Sequence, residues 1–121
     1  MSKPWWVLWC AWALIACGGG YVDPKGAELP EPWRTMNLPV GAGTVETSGP
    51  TELHVSYIDL GADRAETAKL WAATLERRGW VETDLRRMGP LIGVTYSRDG
   101  QELELIVGAQ GKRVDVQLDL D

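Results

Sequence analysis

The chain has 121 residues, a length that suits one small domain, and its 17 acidic and 12 basic residues give a formal net charge of −5. Nucleic-acid binding depends on a basic surface that neutralises phosphates, so we expect no nucleic-acid partner. Both cysteines, Cys10 and Cys17, lie near the N-terminus, and the remainder of the chain can therefore form no disulfide bond.

The first sixteen residues have the pattern of a secretory leader. Lys3 supplies a short positive region, and residues 5–16 form an apolar run. As a helix this run would span roughly 18 Å, which is well short of the ~30 Å hydrocarbon core of a membrane. We therefore interpret it as the core of a signal peptide rather than as a stable membrane-spanning helix.

The apolar run ends in Leu14-Ile15-Ala16-Cys17, which is followed by Gly18. This stretch resembles the lipobox of bacterial lipoprotein precursors. The resemblance implies that signal peptidase II cuts between Ala16 and Cys17, that the Cys17 thiol carries a diacylglycerol, and that the new amino terminus receives a fatty acid such as palmitate. The alternatives are a plain secretory leader that is cut elsewhere, or a retained membrane anchor, with Cys17 incidental to either.

The predicted cleavage and lipid attachment determine where in the cell we expect the protein to be located. Loss of Lys3 with residues 1–16 would move the net charge to −6, so anionic headgroups would not attract the mature chain and the acyl groups alone would hold it. Gly18, in place of an aspartate, resembles the pattern of lipoproteins that two-membrane bacteria pass on to the outer membrane. We therefore expect a lipid-anchored envelope protein. If the organism has two membranes, we expect it at the periplasmic face of the outer membrane rather than at the inner membrane.

Residues 17–50 have the composition of a flexible tether that follows the acylated cysteine. Twelve of the 33 residues from 18 to 50 are Gly or Pro, and no helical or alternating apolar period runs through them. A flexible chain of this length would span on the order of 30 Å. Four apolar residues could instead dock on the domain, and the composition leaves both possibilities open; these are Trp33, Met36, Leu38 and Val40. Residues 44–47 could add a short strand.

Residues 51–121 carry the periods of a folded domain. Apolar residues alternate in the first ten positions and predict a strand, which Gly61 ends. Asp63 then stands three residues before Glu66, a spacing that resembles a capping box at a helix start. Apolar residues recur at helical spacing as far as Leu75, and Gly79 stops the helix.

The junction of Gly79 and Trp80 predicts how the helix ends. A glycine after a helix can adopt a positive φ because it has no Cβ to clash. In the resulting Schellman arrangement, Trp80 packs back against Leu75.

Beyond Trp80 the apolar period changes to two, with turns near Gly89, Gly100 and Gly111, which predicts four further strands. The predicted fold is α+β: a two-layer sandwich with one amphipathic helix on a mostly antiparallel sheet of four to five strands, in the order β-α-β-β-β-β. This plan resembles that of small α+β envelope lipoproteins.

The chain offers few residues for catalysis. His54 is the only histidine, and it points away from the apolar face of its strand. Alternation places the carboxylates of the later strands on a solvated face. These are Glu102, Glu104, Asp115, Asp119 and Asp121. No spacing of His, Cys and carboxylates indicates a metal, and no glycine-rich turn between a strand and a helix indicates phosphate binding, so we expect no cofactor besides the lipid on Cys17.

These observations favour a non-enzymatic binding or assembly module that is anchored in the cell envelope, with another envelope protein as a possible partner. One alternative is a lipid-anchored hydrolase of envelope glycans, which would need two carboxylates about 5–10 Å apart in a cleft. Another is a structural subunit of a membrane complex, which an exposed apolar patch on the sheet or along residues 33–40 would favour.

Overall fold

The computed structural model describes residues 23–121, which contain three helices and six strands. The helices are α1 (Pro24–Ala27), α2 (Trp33–Met36) and α3 (Arg64–Arg77). The strands are β1 (Thr44–Ser48), β2 (Glu52–Ile58), β3 (Val81–Met88), β4 (Leu91–Arg98), β5 (Gln101–Gln110) and β6 (Arg113–Leu120). They form one sheet in the order β1-β2-β6-β5-β4-β3, and every neighbouring pair is antiparallel.

The predicted sandwich of four to five strands with one helix is therefore wrong. The fold is a six-stranded antiparallel sheet with one long helix, and strands make up far more of it than helices. The additional strand is β1, which covers residues 44–47, the segment that the sequence indicated could add a short strand. A bulge between Val45 and Thr47 interrupts its pairing with β2. The single turns α1 and α2 are too short to produce a helical period.

Residues 23–50 belong to the folded unit, and this differs from the flexible tether that their composition indicated. Trp33, Leu38 and Val40 have no exposed surface and join the same core as the sheet. The indole Nε1 of Trp33 donates a 2.6 Å hydrogen bond to the carbonyl of Gly49. For residues 23–50, the docked alternative describes the structure, while residues 17–22 lie outside the described part of the chain.

The core fills the side of the sheet that faces α3. Alternating residues of β2, β5 and β6 turn their side chains to this side, and α3 places Trp71 and Leu75 against them. Both helix residues are fully buried. Burial of a large apolar side chain contributes about 1.5–3 kcal/mol, so each of these helix residues stabilises the packing of α3 on the sheet.

Both ends of α3 have capping geometry. The carboxylate of Asp63 accepts from the backbone N–H of Glu66 at 3.4 Å, and Glu66 lies in the first turn, where the helix dipole favours negative charge. At the other end Gly79 has a φ of +90°, and the N–H of Trp80 donates to the carbonyl of Leu75 at 3.2 Å. This is the Schellman arrangement expected from the sequence, with Trp80 buried.

Candidate functional site

The sheet has one face without a helix in residues 23–121, and we call it the open face. It is formed by the residues that alternate with the core positions on each strand. In β2 these include His54 and Ser56, and the paired strand β6 places Asp115 directly opposite Ser56. Because the other side of the sheet is filled by α3 and residues 23–43, the open face is the broad surface left for a partner.

A hydrogen-bonded cluster of four polar side chains lies on the open face. Asp115 Oδ1 accepts from Ser56 Oγ at 2.9 Å and from Arg113 Nε at 2.9 Å, and it lies 3.0 Å from His54 Nε2. Arg113 Nη2 also donates to Ser56 Oγ at 3.1 Å. Asp115 is thus the common acceptor that fixes the other three side chains.

The charge state of the cluster follows from these contacts. Partial burial by itself would raise the pKa of Asp115, but hydrogen bonds from His54, Arg113 and Ser56 outweigh it and hold the pKa below the ordinary value. The hydrogen bond between Arg113 and Asp115 also raises the pKa of Arg113. The carboxylate and the guanidinium therefore stay ionised together at neutral pH.

The cluster contains the residue types of a Ser-His-Asp triad without its geometry. In a triad the serine hydroxyl donates to the histidine, and the carboxylate orients that histidine from its other side. Here Ser56 donates to Asp115 and not to His54. Ser56 also has only 1% of its surface exposed. The arrangement is suited to holding polar groups in place for recognition rather than to activating a nucleophile.

The open face has two shallow hollows, one of which adjoins the cluster. One, of about 460 Å³, reaches Asp115 and Gln117 and has an apolar wall that includes Leu91 and Ile106. Gly108 lies in its lining, and a Cβ at this position would come within 2.6 Å of Leu91 Cδ2, so the Leu91 side chain would have to shift. The hollow can therefore accept an apolar group beside fixed polar ones.

The second hollow, of about 420 Å³, is lined by four of the five carboxylates that strand alternation assigned to a solvated face. Its acidic lining residues are Glu102, Glu104, Asp119 and Asp121. Glu104 and Asp119 lie directly opposite each other on β5 and β6, and Arg86 of β3 donates to Glu104 at 2.6 Å. Within residues 23–121 no group of three or more His, Cys, Asp or Glu side chains has the arrangement of a metal site.

The remaining sequence predictions fall in two places. Asp63, Glu66, Leu75, Gly79 and Trp80 form the two ends of α3 and lie on the opposite side of the sheet from the cluster. The predicted cleavage and lipidation positions, residues 16 and 17, lie outside the described residues. In the described part of the chain, no helix has the length and apolar character needed to cross a membrane.

Sequence reasoning did not find the cluster, although part of the signal was present. Alternation on β2 and β6 correctly puts His54 and Asp115 on non-core faces. What the alternation could not supply was the pairing of β2 with β6, which joins residues about sixty positions apart.

Comparison of the chain with known protein families, with curated proteins and with solved structures gave no match.

Proposed function

We propose that this protein is a lipid-anchored component of a bacterial cell envelope that acts as a non-enzymatic binding or assembly module. Its anchor is the lipid on Cys17, and its binding surface is the open face. The partner is another envelope protein.

The observation that carries the binding role is the fixed polar cluster on an otherwise uncovered sheet face. Asp115 holds Ser56, His54 and Arg113 in one arrangement before any partner arrives. Pre-ordered side chains lose little conformational entropy on binding, which favours recognition. The adjoining hollow adds apolar surface from Leu91 and Ile106, and a mixture of apolar and polar surface is typical of a protein interface.

The run at residues 14–18 supports the anchored location. It stands at the end of an apolar segment that is too short to span a membrane, which is where the lipobox occurs in lipoprotein precursors. An acidic domain gains nothing from anionic lipid surfaces, so covalent lipid is the suitable means of attachment.

Photo-crosslinking in intact cells of the source organism tests the proposal. A photoreactive residue replaces Gln117, which is exposed on the open face, and in a control strain it replaces Lys69, which is exposed on α3. We expect a discrete crosslinked protein from position 117 that is absent or much weaker at position 69. Equal yields of the same products from both positions would contradict the assignment of the open face.

A second candidate, the carboxylate-dependent hydrolase of envelope glycans, is favoured by the hollow in which Glu104 faces Asp119. Glycoside hydrolysis needs two carboxyl groups flanking the scissile bond. If this candidate is correct, Glu104→Gln and Asp119→Asn will each abolish release of soluble fragments from purified envelope glycan. The binding proposal expects no such release from the unmodified protein.

A further inference from the structure

The outer edge of β3 has no strand partner. β3 is the last strand of the sheet and pairs only with β4, so the backbone N–H and C=O groups that point to its other side meet no strand within residues 23–121. All eight of its side chains are exposed. An exposed edge of this length is a template on which another strand can add.

Exposed apolar side chains concentrate at the same edge. Seven large apolar side chains are exposed in the described residues, and four of them lie on β3 or at the start of β4. These are Val81, Leu85, Met88 and Leu91. Leu85 turns to the side of α3, whereas Met88 and Leu91 pair on the open face, so this edge exposes apolar surface on both faces of the sheet.

The charges around Leu85 make this strand complementary to a reversed copy of itself. Asp84 and Arg86 flank Leu85 and pair across from Thr95 and Gly93 on the open face, whereas Leu85 turns to the side of α3. When two such strands pair antiparallel with Leu85 at the centre, Asp84 lies opposite Arg86 of the partner subunit. The symmetry repeats this pair, so two attractive cross-strand pairs flank the contact of Leu85 with the partner's Leu85.

The neighbouring registers are unfavourable for a simple reason. A register centred on Asp84 puts it opposite the partner's Asp84, and registers centred on Arg86 or Arg87 put two guanidinium groups opposite each other. Like charges directly opposite each other destabilise a strand pair. Within β3 the Leu85 register would pair residues 82–88, and the bulge between Glu82 and Asp84 limits the regular pairing to residues 84–86.

We propose that two copies of this chain associate through β3 in the register centred on Leu85, forming one continuous twelve-stranded antiparallel sheet about a twofold axis. The side chains of Asp84 and Arg86 are 59% and 50% exposed and contact each other at 3.5 Å. Arg86 also donates to Glu104 at 2.6 Å, and in the dimer it would exchange or share this contact with the partner's Asp84. The opposite edge, β1, has Glu46 as its single charge and offers no complementary pair. This inference does not depend on the proposed binding role of the open face.

The geometry is compatible with attachment of both copies to one membrane. A twofold axis perpendicular to the sheet keeps both helix layers on the same side of the twelve-stranded sheet. Residues 23–43 of each copy also lie on that side, near the β1 edge, which is the edge far from the dimer contact. The paired segment is short, so association in solution will be weak. Confinement to a membrane raises the effective concentration and favours the dimer.

The first test measures association of the purified full chain in density-matched detergent by sedimentation equilibrium. Arg86→Glu and Asp84→Arg each convert both attractive pairs into repulsive ones, and we expect the dissociation constant of the dimer to rise about tenfold or more. The double variant Asp84→Arg/Arg86→Glu restores opposite charges across the interface. It is made in a Glu104→Gln background, because Arg86 donates to Glu104 and a glutamate at position 86 would lie beside that carboxylate. Its dissociation constant should return to within about threefold of the unmodified value. Absence of dimer up to about 1 mM, equal association of all four proteins, or failure of the double variant to recover would each overturn the proposal.

The second test reports the register. Under mild oxidation in membranes, Leu85→Cys should give a disulfide-linked dimer, because residue 85 lies opposite its own symmetry mate. Arg87→Cys is the matched control, since it lies on the same face but about 13 Å along the strand from its mate, too far for a disulfide. The unmodified chain accounts for products of Cys10 and Cys17. Equal crosslinking at positions 85 and 87, or a ladder of higher oligomers, would contradict the proposed dimer.

Discussion

The hydroxyl of Tyr57 accepts a 3.2 Å hydrogen bond from the indole Nε1 of Trp71 and donates a 2.9 Å hydrogen bond to the carbonyl of Pro39. One side chain of β2 thus joins α3 to the segment that precedes the sheet. Because residues from Asp23 onward are part of the folded unit, an anchor at Cys17 would be separated from it by residues 18–22. The six Cα-to-Cα steps from residue 17 to residue 23 span at most about 20 Å, so the proposed anchor would hold the domain close to the membrane.

Loss of the Tyr57 hydroxyl should destabilise the protein. Tyr57→Phe leaves the indole N–H of the fully buried Trp71 and the Pro39 carbonyl without this partner, and we expect a cost of about 1–3 kcal/mol in the free energy of unfolding. The matched control is Tyr96→Phe, because the buried hydroxyl of Tyr96 has no hydrogen-bond partner. Urea unfolding of residues 21–121 measures both. Equal losses from the two variants would contradict the linking role of Tyr57.

Alkaline pH provides a separate test of the Tyr96 environment. Burial, with smaller contributions from the charges of Glu76 and Glu82, raises the pKa of Tyr96 from 10.0 to about 12. The unfolded chain therefore loses this proton first, and the stability that the neutral hydroxyl contributes is complete below pH 10 and is lost as the pH rises through about 12. We expect the free energy of unfolding to fall less steeply across this window in Tyr96→Phe than in the unmodified chain. Parallel pH profiles would show that Tyr96 titrates normally.

The sequence predicted α3 and the strands after it well because their signals are local. Asp63, Gly79 and Trp80 act within a few residues of the helix ends that they define. The segment before β2 was interpreted as a tether because its structure depends on distant partners. Trp33 is held by Gly49 and by the sheet core, and these contacts leave no period in the sequence.

Substitutions at the end of α3 should differ in a defined order. Gly79→Ala places a Cβ on a residue with a φ of +90° and should cost about 1 kcal/mol, whereas Trp80→Ala removes a buried aromatic side chain and should cost about 3–5 kcal/mol. Gly49→Ala is the control, because its φ is not positive and a Cβ would meet only Glu52 Cγ at 3.8 Å. Urea midpoints of residues 21–121 should therefore fall in the order Gly49→Ala, Gly79→Ala, Trp80→Ala. A Gly79→Ala protein as stable as the unmodified chain would refute the role of the left-handed cap.

The cluster around Asp115 should make the free energy of unfolding depend on pH in the acid range. Its hydrogen-bonded carboxylate has a pKa below the ordinary 3.8, so the stability that it contributes is present above that pH and is lost as the pH falls through the lower folded pKa. Because Asp115 is about one-third exposed, we expect an effect below about 1 kcal/mol. Asp115→Asn should lose less stability than the unmodified chain between about pH 6 and pH 3, whereas the exposed control Asp99→Asn should follow the unmodified profile. Identical acid profiles for all three proteins would contradict the carboxylate-centred cluster.

The same distinction between local and distant signals explains why the sequence did not predict the polar cluster at the candidate site. Alternation assigned His54 and Asp115 to non-core faces, but nothing near either residue indicates that they meet. Their contact depends on the register of β2 against β6, which aligns Ser56 with Asp115. In one sequence that register is fixed only by the combined fit of the apolar residues on the other face.

The proposed attachment to the cell envelope is tested most directly by the intact mass of the protein extracted from membranes of its source organism. We expect a chain that begins at Cys17 and carries the added mass of a diacylglycerol and an amide-linked fatty acid. Cys17→Ser should remove the lipid mass and release the protein from the membrane fraction. A membrane-bound chain that begins elsewhere without lipid mass, or a Cys17→Ser protein that is processed at the same site and stays fully membrane-bound, would contradict the account.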